Sequence, residues 1–411
     1  MSAKKIRKET WITLIVLGAG IPIAGLAGVL MYMNVTAARL HPNPQEVTSV
    51  MHATPSARWA GAAEAARERV RAGISSQNAP GLSVAVAVNQ EIVWAEGFGW
   101  ANVESRTPVT PDTRFRIGHT SKALTAAGVG LLLERRRLRL EDEIQVSVPA
   151  FPRKQWPITV RQLMGHLAGV RHYLGEEADV PSGHCDRAAD ALATFANDPL
   201  LFEPQTEARY STYGWILVSA AVEAAANEPF FVFMRTQVFA PLGMNDTMPD
   251  SGPVSVTIPN LARFYFPRFS GDNEFGQVVA RAIDYSCFAG AGAFLSTPSD
   301  LVRFGIAMGG STLLQPDTVR VLQTTQQLAS GKDTEYGLGW TVESFPLAGQ
   351  PTQLVSHASR SLVGGSTSFM IFPERGIVVA VTSNTSYANL RAIALDVAAA
   401  FAEPAKRPAS R

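Results

Sequence analysis

Two β-hairpin patterns stand near opposite ends of this 411-residue chain, and they constrain its fold more than any other feature. Residues 82–88 and 92–98 are β-prone runs separated by three polar residues, and residues 366–372 and 377–383 flank a Pro-Glu-Arg-Gly turn. The pattern between them is mostly helical, at residues 123–134, 159–167, 188–196, 213–226, 230–238 and 299–308. We therefore predict an α/β (α+β) fold, with an antiparallel sheet from both chain ends, flanking helices that include residues 389–401, and a helical subdomain.

The first 35 residues predict a membrane anchor. Four basic residues precede an apolar run, residues 11–35, that contains no charged side chain: Lys4, Lys5, Arg7 and Lys8. A bilayer takes roughly 20 helical residues, and the basic flank favours a cytoplasmic tail. A cleavable signal peptide is the alternative, because small residues follow the run, but its apolar core would be shorter, roughly 7 to 15 residues. We expect a single-pass anchor, residues 1–35, in the cell inner membrane, with the remaining chain facing the periplasm or exterior.

The remaining chain divides by composition into three parts. Residues 36–56 are mostly polar and carry three prolines, which predicts a tether between membrane and domain. An amphipathic helix near residues 59–70 opens a folded domain predicted at 57–403, and residues 404–411 form a short tail. The 36 basic and 35 acidic residues are spread along the chain, so we expect no nucleic-acid partner.

Cys185 and Cys287 are the only cysteines. Two are too few for a disulfide framework, and they lack the clustered spacing of a structural zinc site. One bridge is open to them in an oxidising compartment, but we expect two unlinked thiols.

Short motifs of a known kind follow one another along the chain. In order they are Gly118-His119-Thr120-Ser121-Lys122, Gly165-His166-Leu167-Ala168-Gly169-Val170, Tyr210-Ser211-Thr212, Gly290-Ala291-Gly292 with Leu295-Ser296-Thr297, and His357-Ala358-Ser359. The series resembles the serine β-lactamase and penicillin-binding-protein superfamily, in particular its class C β-lactamase-related members. Residues 165–173 and 210–214 are most similar to mitochondrial serine β-lactamase-like proteins and their bacterial relatives. The resemblance covers residues 81–384 and implies a β-lactamase/transpeptidase-like fold with β-lactamase, D-Ala-D-Ala peptidase or esterase activity.

The resemblance also assigns the site. It places the nucleophilic serine at position 119, where this chain has His119. Lys122, one helical turn away, would take the proton of the nucleophile, and Tyr210 would relay protons to the leaving group. His357 would line the opposite wall, on an edge strand. The oxyanion hole would consist of the backbone N–H groups of His119 and Arg360, which a change of side chain preserves.

Two of the three active-site motifs depart from the family pattern. Position 119 offers no hydroxyl, and Ser121 cannot substitute, because two residues along a helix turn a side chain about 200° away. The third motif normally ends in glycine but here ends in Ser359, whose side chain is expected to narrow the site.

His119 and His357 would share one cleft, which is the beginning of a zinc site. A catalytic zinc usually has three protein ligands, however, and no third is identifiable. His166 and His172 we interpret as structural residues. We therefore expect neither a metal nor another cofactor.

Three functions remain open. The first is a domain impaired in acyl-serine hydrolysis that keeps a cleft for a small acyl, peptide or peptidoglycan-like ligand. The second is an active hydrolase of esters, amides or β-lactams that uses His119 with Lys122 and Tyr210, because imidazole is itself a nucleophile. The third is a membrane-surface scaffold formed by self-association.

Overall fold

The computed structural model describes residues 27–173, 183–250, 258–269, 271–360 and 364–402. Its strands are β1 (Ser49–Met51), β2 (Gly81–Val88), β3 (Glu91–Asn102), β4 (Thr107–Pro108), β5 (Phe115–Arg116), β6 (Met248–Pro249), β7 (Tyr265–Phe269), β8 (Asp272–Val279), β9 (Phe294–Ser296), β10 (Thr341–Leu347), β11 (Gln350–Ser359), β12 (Ser366–Phe372) and β13 (Ile377–Ser383). Its α-helices are α1 (Ala60–Ser76), α2 (Ser121–Glu134), α3 (Ile144–Ser147), α4 (Val160–Met164), α5 (Thr212–Ala226), α6 (Phe230–Phe233), α7 (Pro298–Gly309), α8 (Pro316–Gln323) and α9 (Leu390–Ala402).

The main sheet joins the two ends of the chain. Its order is β1-β3-β2-β13-β12-β11-β10, with β4 against β3. The hairpin β2–β3 meets the hairpin β12–β13 through an antiparallel pairing of β13 with β2, in which Ala380 lies opposite Ala85. The predicted fold class and both predicted hairpins are thereby confirmed.

Helices cover both faces of this sheet. Because successive strand residues point to opposite faces, Val84 and Val86 contact one core, which includes residues of α1 and α9. Ala85 and Ala87 contact the other core, built largely by α2, α5 and α7. The strand β2 is buried at every position, which agrees with its mostly apolar sequence.

Two predicted helical segments are not regular α-helices throughout. Residues 188–196 were expected to be helical, and Ala188–Thr194 form a 3-10 helix. Residues 230–238 begin as α6 and continue as a π-helix, Met234–Phe239. Pro241 follows and has no N–H to donate, so a regular α-helical ladder could not continue through it.

The predicted tether is packed onto the domain over part of its length. Within residues 36–56, Pro44–Glu46 form a 3-10 helix and β1 pairs with β3, where Val50 lies opposite Gly97. An unpaired strand edge offers a row of backbone donors and acceptors, which β1 satisfies. The predicted tether is thus structured and paired with the domain at these residues.

Residues 1–26 of the predicted anchor lie outside the described residues. Among the residues described, no single helix has both the length and the apolar character to cross a membrane. One bent pair, Thr212–Ala226 with Phe230–Leu242, passes on length and composition, with an angle of 74° between its halves. Most of α5 is buried within the domain.

Cys185 and Cys287 form a disulfide, so the expectation of unlinked thiols is wrong. The bridge joins two cysteines that are 102 residues apart in sequence. The backbone N–H of Cys185 also donates to the hydroxyl of Ser286, beside Cys287. The half-cystines are nearly buried, at 8 % and 1 % exposure, and lie side by side only through the tertiary fold.

Removing this bridge is expected to lower the free energy of unfolding by about 2 to 4 kcal/mol, because a long loop in the unfolded chain regains its freedom. The double variant Cys185→Ser/Cys287→Ser and the native chain should be compared by urea unfolding. The native chain under reducing conditions is the matched control. Equal midpoints in all three samples would contradict the prediction.

Candidate active site

The first motif lies at the start of α2. Gly118–Thr120 form a 3-10 turn that leads directly into the helix, and Gly118 has a φ of 49°, which suits glycine. Lys122 follows one turn after His119 and is completely buried. Its Nζ donates to the carbonyl of Ala291 at 2.9 Å, and burial lowers the pKa of Lys122 well below its usual value. Burial thus shifts this lysine toward the neutral form, which can accept a proton.

His119 lies at the centre of the cleft. Its Nε2 is 3.3 Å from the hydroxyl of Thr212, and its ring centroid is 5.4 Å from that of Tyr210. Desolvation and then the charge of Lys122 lower the pKa of His119 well below its usual value. The imidazole at the nucleophile position is therefore neutral near pH 7.

The second motif is fixed in place by two histidines. Its backbone N–H groups at Ser211 and Thr212 donate to His166 Nδ1 and His172 Nδ1 respectively, both at 3.1 Å. These bonds require both imidazoles to be unprotonated at Nδ1. Burial contributes most to lowering the pKa of His172 to about 4. Their position agrees with the structural interpretation of these histidines.

Tyr210 faces the cleft. Its side chain is 39 % exposed, and Lys122 Nζ lies 4.9 Å from its ring centroid. The ring of His166 packs against it, with 4.3 Å between the centroids. The tyrosine and lysine of the family pattern are thus adjacent, as the resemblance implied.

The third motif lines the opposite wall on β11. This strand is not the edge of the sheet, because β10 pairs with its outer side. That pairing ends where Thr341 lies opposite Ser356, so residues 357–359 form a local edge. His357 Nδ1 donates to the carbonyl of Gly339 at 2.9 Å, and burial lowers the pKa of His357 to about 3. Its Nε2 is consequently an unprotonated acceptor near neutral pH.

The Ser359 side chain accepts a hydrogen bond from one of the two expected oxyanion-hole donors. The backbone N–H of His119 donates to Ser359 Oγ at 3.1 Å. An acyl oxygen bound in the usual way would have to accept a hydrogen bond from that same N–H group. The Ser359 side chain therefore narrows the site by competing with a substrate oxygen for the His119 N–H group.

The structure brings His119, Lys122, Tyr210 and His357 close together. Ser121, in contrast, is completely buried in α2, which agrees with its exclusion as a nucleophile. In the described ranges no group of three His, Cys, Asp or Glu residues is arranged to hold a metal ion.

Sequence reasoning missed Tyr336, whose ring centroid lies 4.8 Å from that of His166 and 6.3 Å from that of His357. In the sequence, the feature that could have indicated Tyr336 is the pair of glycines, Gly337 and Gly339, that follows it. Gly339 has a φ of 96°, and its carbonyl is the partner of His357. Such a glycine marks a close approach of the backbone to a neighbouring element.

The fold and the cleft define a class. An antiparallel sheet with flanking helices, a lysine at the start of a buried helix, and a tyrosine beside that lysine form the framework of acyl-transferring serine hydrolases. The chain belongs to the β-lactamase family, whose model matches residues 65–403.

Individual relatives agree with this assignment. The mitochondrial serine β-lactamase-like protein of Mus musculus is 27 % identical, over 85 % of this chain and 82 % of that protein. A penicillin-binding protein of Bacillus subtilis is also 27 % identical, over 67 % of this chain and 62 % of its own length. The octameric penicillin-binding protein homologue of Pyrococcus abyssi has the same fold, with a TM-score of 0.68, 22 % identity, and coverage of 81 % of this chain and 76 % of that one.

Proposed function

We propose that this chain is a β-lactamase-family domain that is impaired in acyl-serine hydrolysis and uses its cleft to bind a small acyl, peptide or peptidoglycan-like ligand. The observation that carries the proposal is the absence of an exposed serine or threonine hydroxyl, the usual nucleophile, in the three active-site motifs. Ser121 and Thr212 are completely buried, and Ser359 is 2 % exposed. A substrate carbonyl cannot reach a hydroxyl that is sealed inside the domain.

The blocked oxyanion donor supports the same conclusion. A hydrolase gains much of its rate from donors aimed at the developing negative charge, typically about 10² to 10³-fold for one such donor. Here the His119 N–H already has an acceptor in Ser359. Binding needs less of the cleft than catalysis does, and the remaining framework is intact.

We also propose that the domain lies in the periplasm or outside the cell on a single-pass anchor. The helix of residues 27–35 continues the apolar run of the sequence and exposes Val29, Leu30, Met31 and Val35 by 46 to 74 %. Apolar side chains exposed in this way favour a lipid environment. The Cys185–Cys287 disulfide favours an oxidising compartment.

The proposal is tested by turnover and binding. The full chain and His119→Ala should be offered a chromogenic β-lactam, a p-nitrophenyl ester and a D-Ala-D-Ala peptide. We expect no turnover above the buffer rate by either protein, no labelling by a serine-reactive probe, and a calorimetric binding signal with the peptide. Turnover by the native chain that His119→Ala abolishes would refute the proposal.

That outcome would support the second candidate, a hydrolase that uses the imidazole of His119. The observation in its favour is the lowered pKa of His119, which leaves an unprotonated ring nitrogen available near neutral pH. An acyl-imidazole formed there would be labile, with Lys122 and Tyr210 beside it to transfer protons.

A further inference from the structure

The segment that follows the N-terminal helix is held against the domain. Arg268 on β7 donates to the carbonyl of Thr36 at 3.2 Å, to its hydroxyl at 3.0 Å, and to the hydroxyl of Tyr32 at 3.2 Å. Met33 on the same helix is only 9 % exposed. We call residues 32–41 the strap.

Asn78 provides a second clamp. Its Nδ2 donates to the carbonyl of Ala38 at 3.0 Å, and its Oδ1 accepts from the N–H of Leu40 at 2.8 Å. The same Nδ2 also donates to the carbonyl of Asn273 on β8 at 3.1 Å. The side chain is nearly buried, and an unpaired amide there would be costly. One amide group therefore joins the strap to the β7–β8 hairpin.

From the hairpin, further hydrogen bonds lead to Ser386 and Gly364. Asn273 Nδ2 donates to the carbonyl of Ser386 at 3.2 Å, and the hydroxyl of Thr385 donates to Asn273 Oδ1 at 3.2 Å. Ser386 Oγ then accepts from the N–H of Gly364 at 3.0 Å. Gly364 stands four residues after Arg360, the expected oxyanion residue, so the network reaches the segment that follows the third motif.

We propose that residues 32–41 are a docked strap, and that the β7–β8 hairpin, by seating it, also braces the chain at Gly364, beyond the third motif. The bracing passes through Asn78, Asn273 and Ser386. The chain at Ser386 and Gly364 is thereby fixed relative to the N-terminal helix. If residues 1–35 anchor the chain, as the proposed function holds, the strap also fixes the distance between the domain and the membrane. The strap itself rests on the hydrogen bonds alone.

Hydrogen exchange of the full chain in detergent micelles, read by mass spectrometry, tests the strap. The variant is Asn78→Gly, which removes the clamping amide at a φ of 46° where glycine is unstrained. Asn227→Gly is the matched control, because Asn227 has a φ of 58°, is exposed, and makes no side-chain hydrogen bond within the described chain.

In the native chain we expect residues 36–41 to exchange at least about tenfold more slowly than an unstructured peptide. Asn78→Gly should speed exchange about tenfold there and also in residues 384–387, whereas Asn227→Gly should change neither. Arg268→Ala is the second variant should Asn78→Gly not fold. Fast exchange at residues 36–41 of the native chain would overturn the strap, and an effect confined to those residues would overturn the brace. Neither readout involves ligand or turnover, so failure here is distinct from failure of the proposed function.

Discussion

His119→Ser together with Ser359→Gly is expected to turn this domain into an acylating enzyme. The double variant should react with a chromogenic β-lactam or a serine-reactive probe at least about 10³-fold faster than the native chain. Loss of a nucleophile from a coupled catalytic set removes on the order of 10⁶ in rate, and its return should recover a substantial part. Lys122 and Tyr210 are already adjacent to receive the proton.

The two substitutions have separable effects. His119→Ser alone supplies the hydroxyl but leaves Ser359 Oγ on the oxyanion N–H, so its acylation should be about 10²-fold slower than in the double variant. Ser359→Ala in place of Ser359→Gly frees the N–H but keeps a Cβ. The difference between these two variants measures how far that carbon narrows the cleft.

Mass spectrometry of the labelled peptide should place the acyl group at position 119. Lys122→Met added to the double variant should abolish labelling, because no base then remains beside the hydroxyl. If the double variant stays unlabelled while its circular dichroism matches the native chain, the cleft lacks more than a nucleophile and a donor. The description as a silenced hydrolase would then be wrong.

The sequence was sufficient for the parts of the fold that rest on local pattern. The hairpin β12–β13 has its predicted bounds because a Pro-Glu-Arg-Gly turn separates two β-prone runs, both buried at every position. The opening strand β1 and the hairpin β7–β8 were missed. The strand β1 has three residues of mixed polarity, and only the free edge of β3 makes it a strand.

The sequence likewise predicted some features of the site and missed others that depend on tertiary contacts. Helical spacing related His119 to Lys122, and the family resemblance placed Tyr210 with them in one cleft. The contact of Ser359 Oγ with the His119 N–H was not readable, since it depends on how β11 approaches α2 across 240 residues of chain. The Cys185–Cys287 bridge was missed for the same reason: proximity over 102 residues is a tertiary property.

Acidification from pH 7.5 to pH 4.5 is expected to remove about 3 to 5 kcal/mol of folding stability, a large part of the 5 to 15 kcal/mol typical of a domain. The cause is the set of neutral imidazoles around the cleft. The pKa of His357 is lowered to about 3 and that of His172 to about 4, from 6.5. His119 and His166 are shifted in the same direction.

The sign follows from proton binding. Between pH 6.5 and these lowered pKa values the unfolded chain binds protons that the folded chain does not, so each proton favours unfolding. The stabilisation is therefore complete above pH 6.5 and is lost as the pH falls toward 4 and 3. Asp250 and Asp300 act in the opposite sense, because burial raises the pKa of both carboxyl groups.

Urea unfolding at both pH values measures the loss, and substitution identifies its origin. His172→Gln and His357→Gln should each reduce the difference between the two pH values by about 1 to 2.5 kcal/mol, whatever they do to stability at pH 7.5. His52→Gln is the control, since that ring is half exposed and distant from the cleft motifs in sequence. An equal loss of stability in the native chain and all three variants would show that groups other than His172 and His357 cause it. A reduced loss in the two cleft variants alone would establish that neutral histidines stabilise the second and third motifs, and therefore that the folded cleft is most stable above pH 6.5.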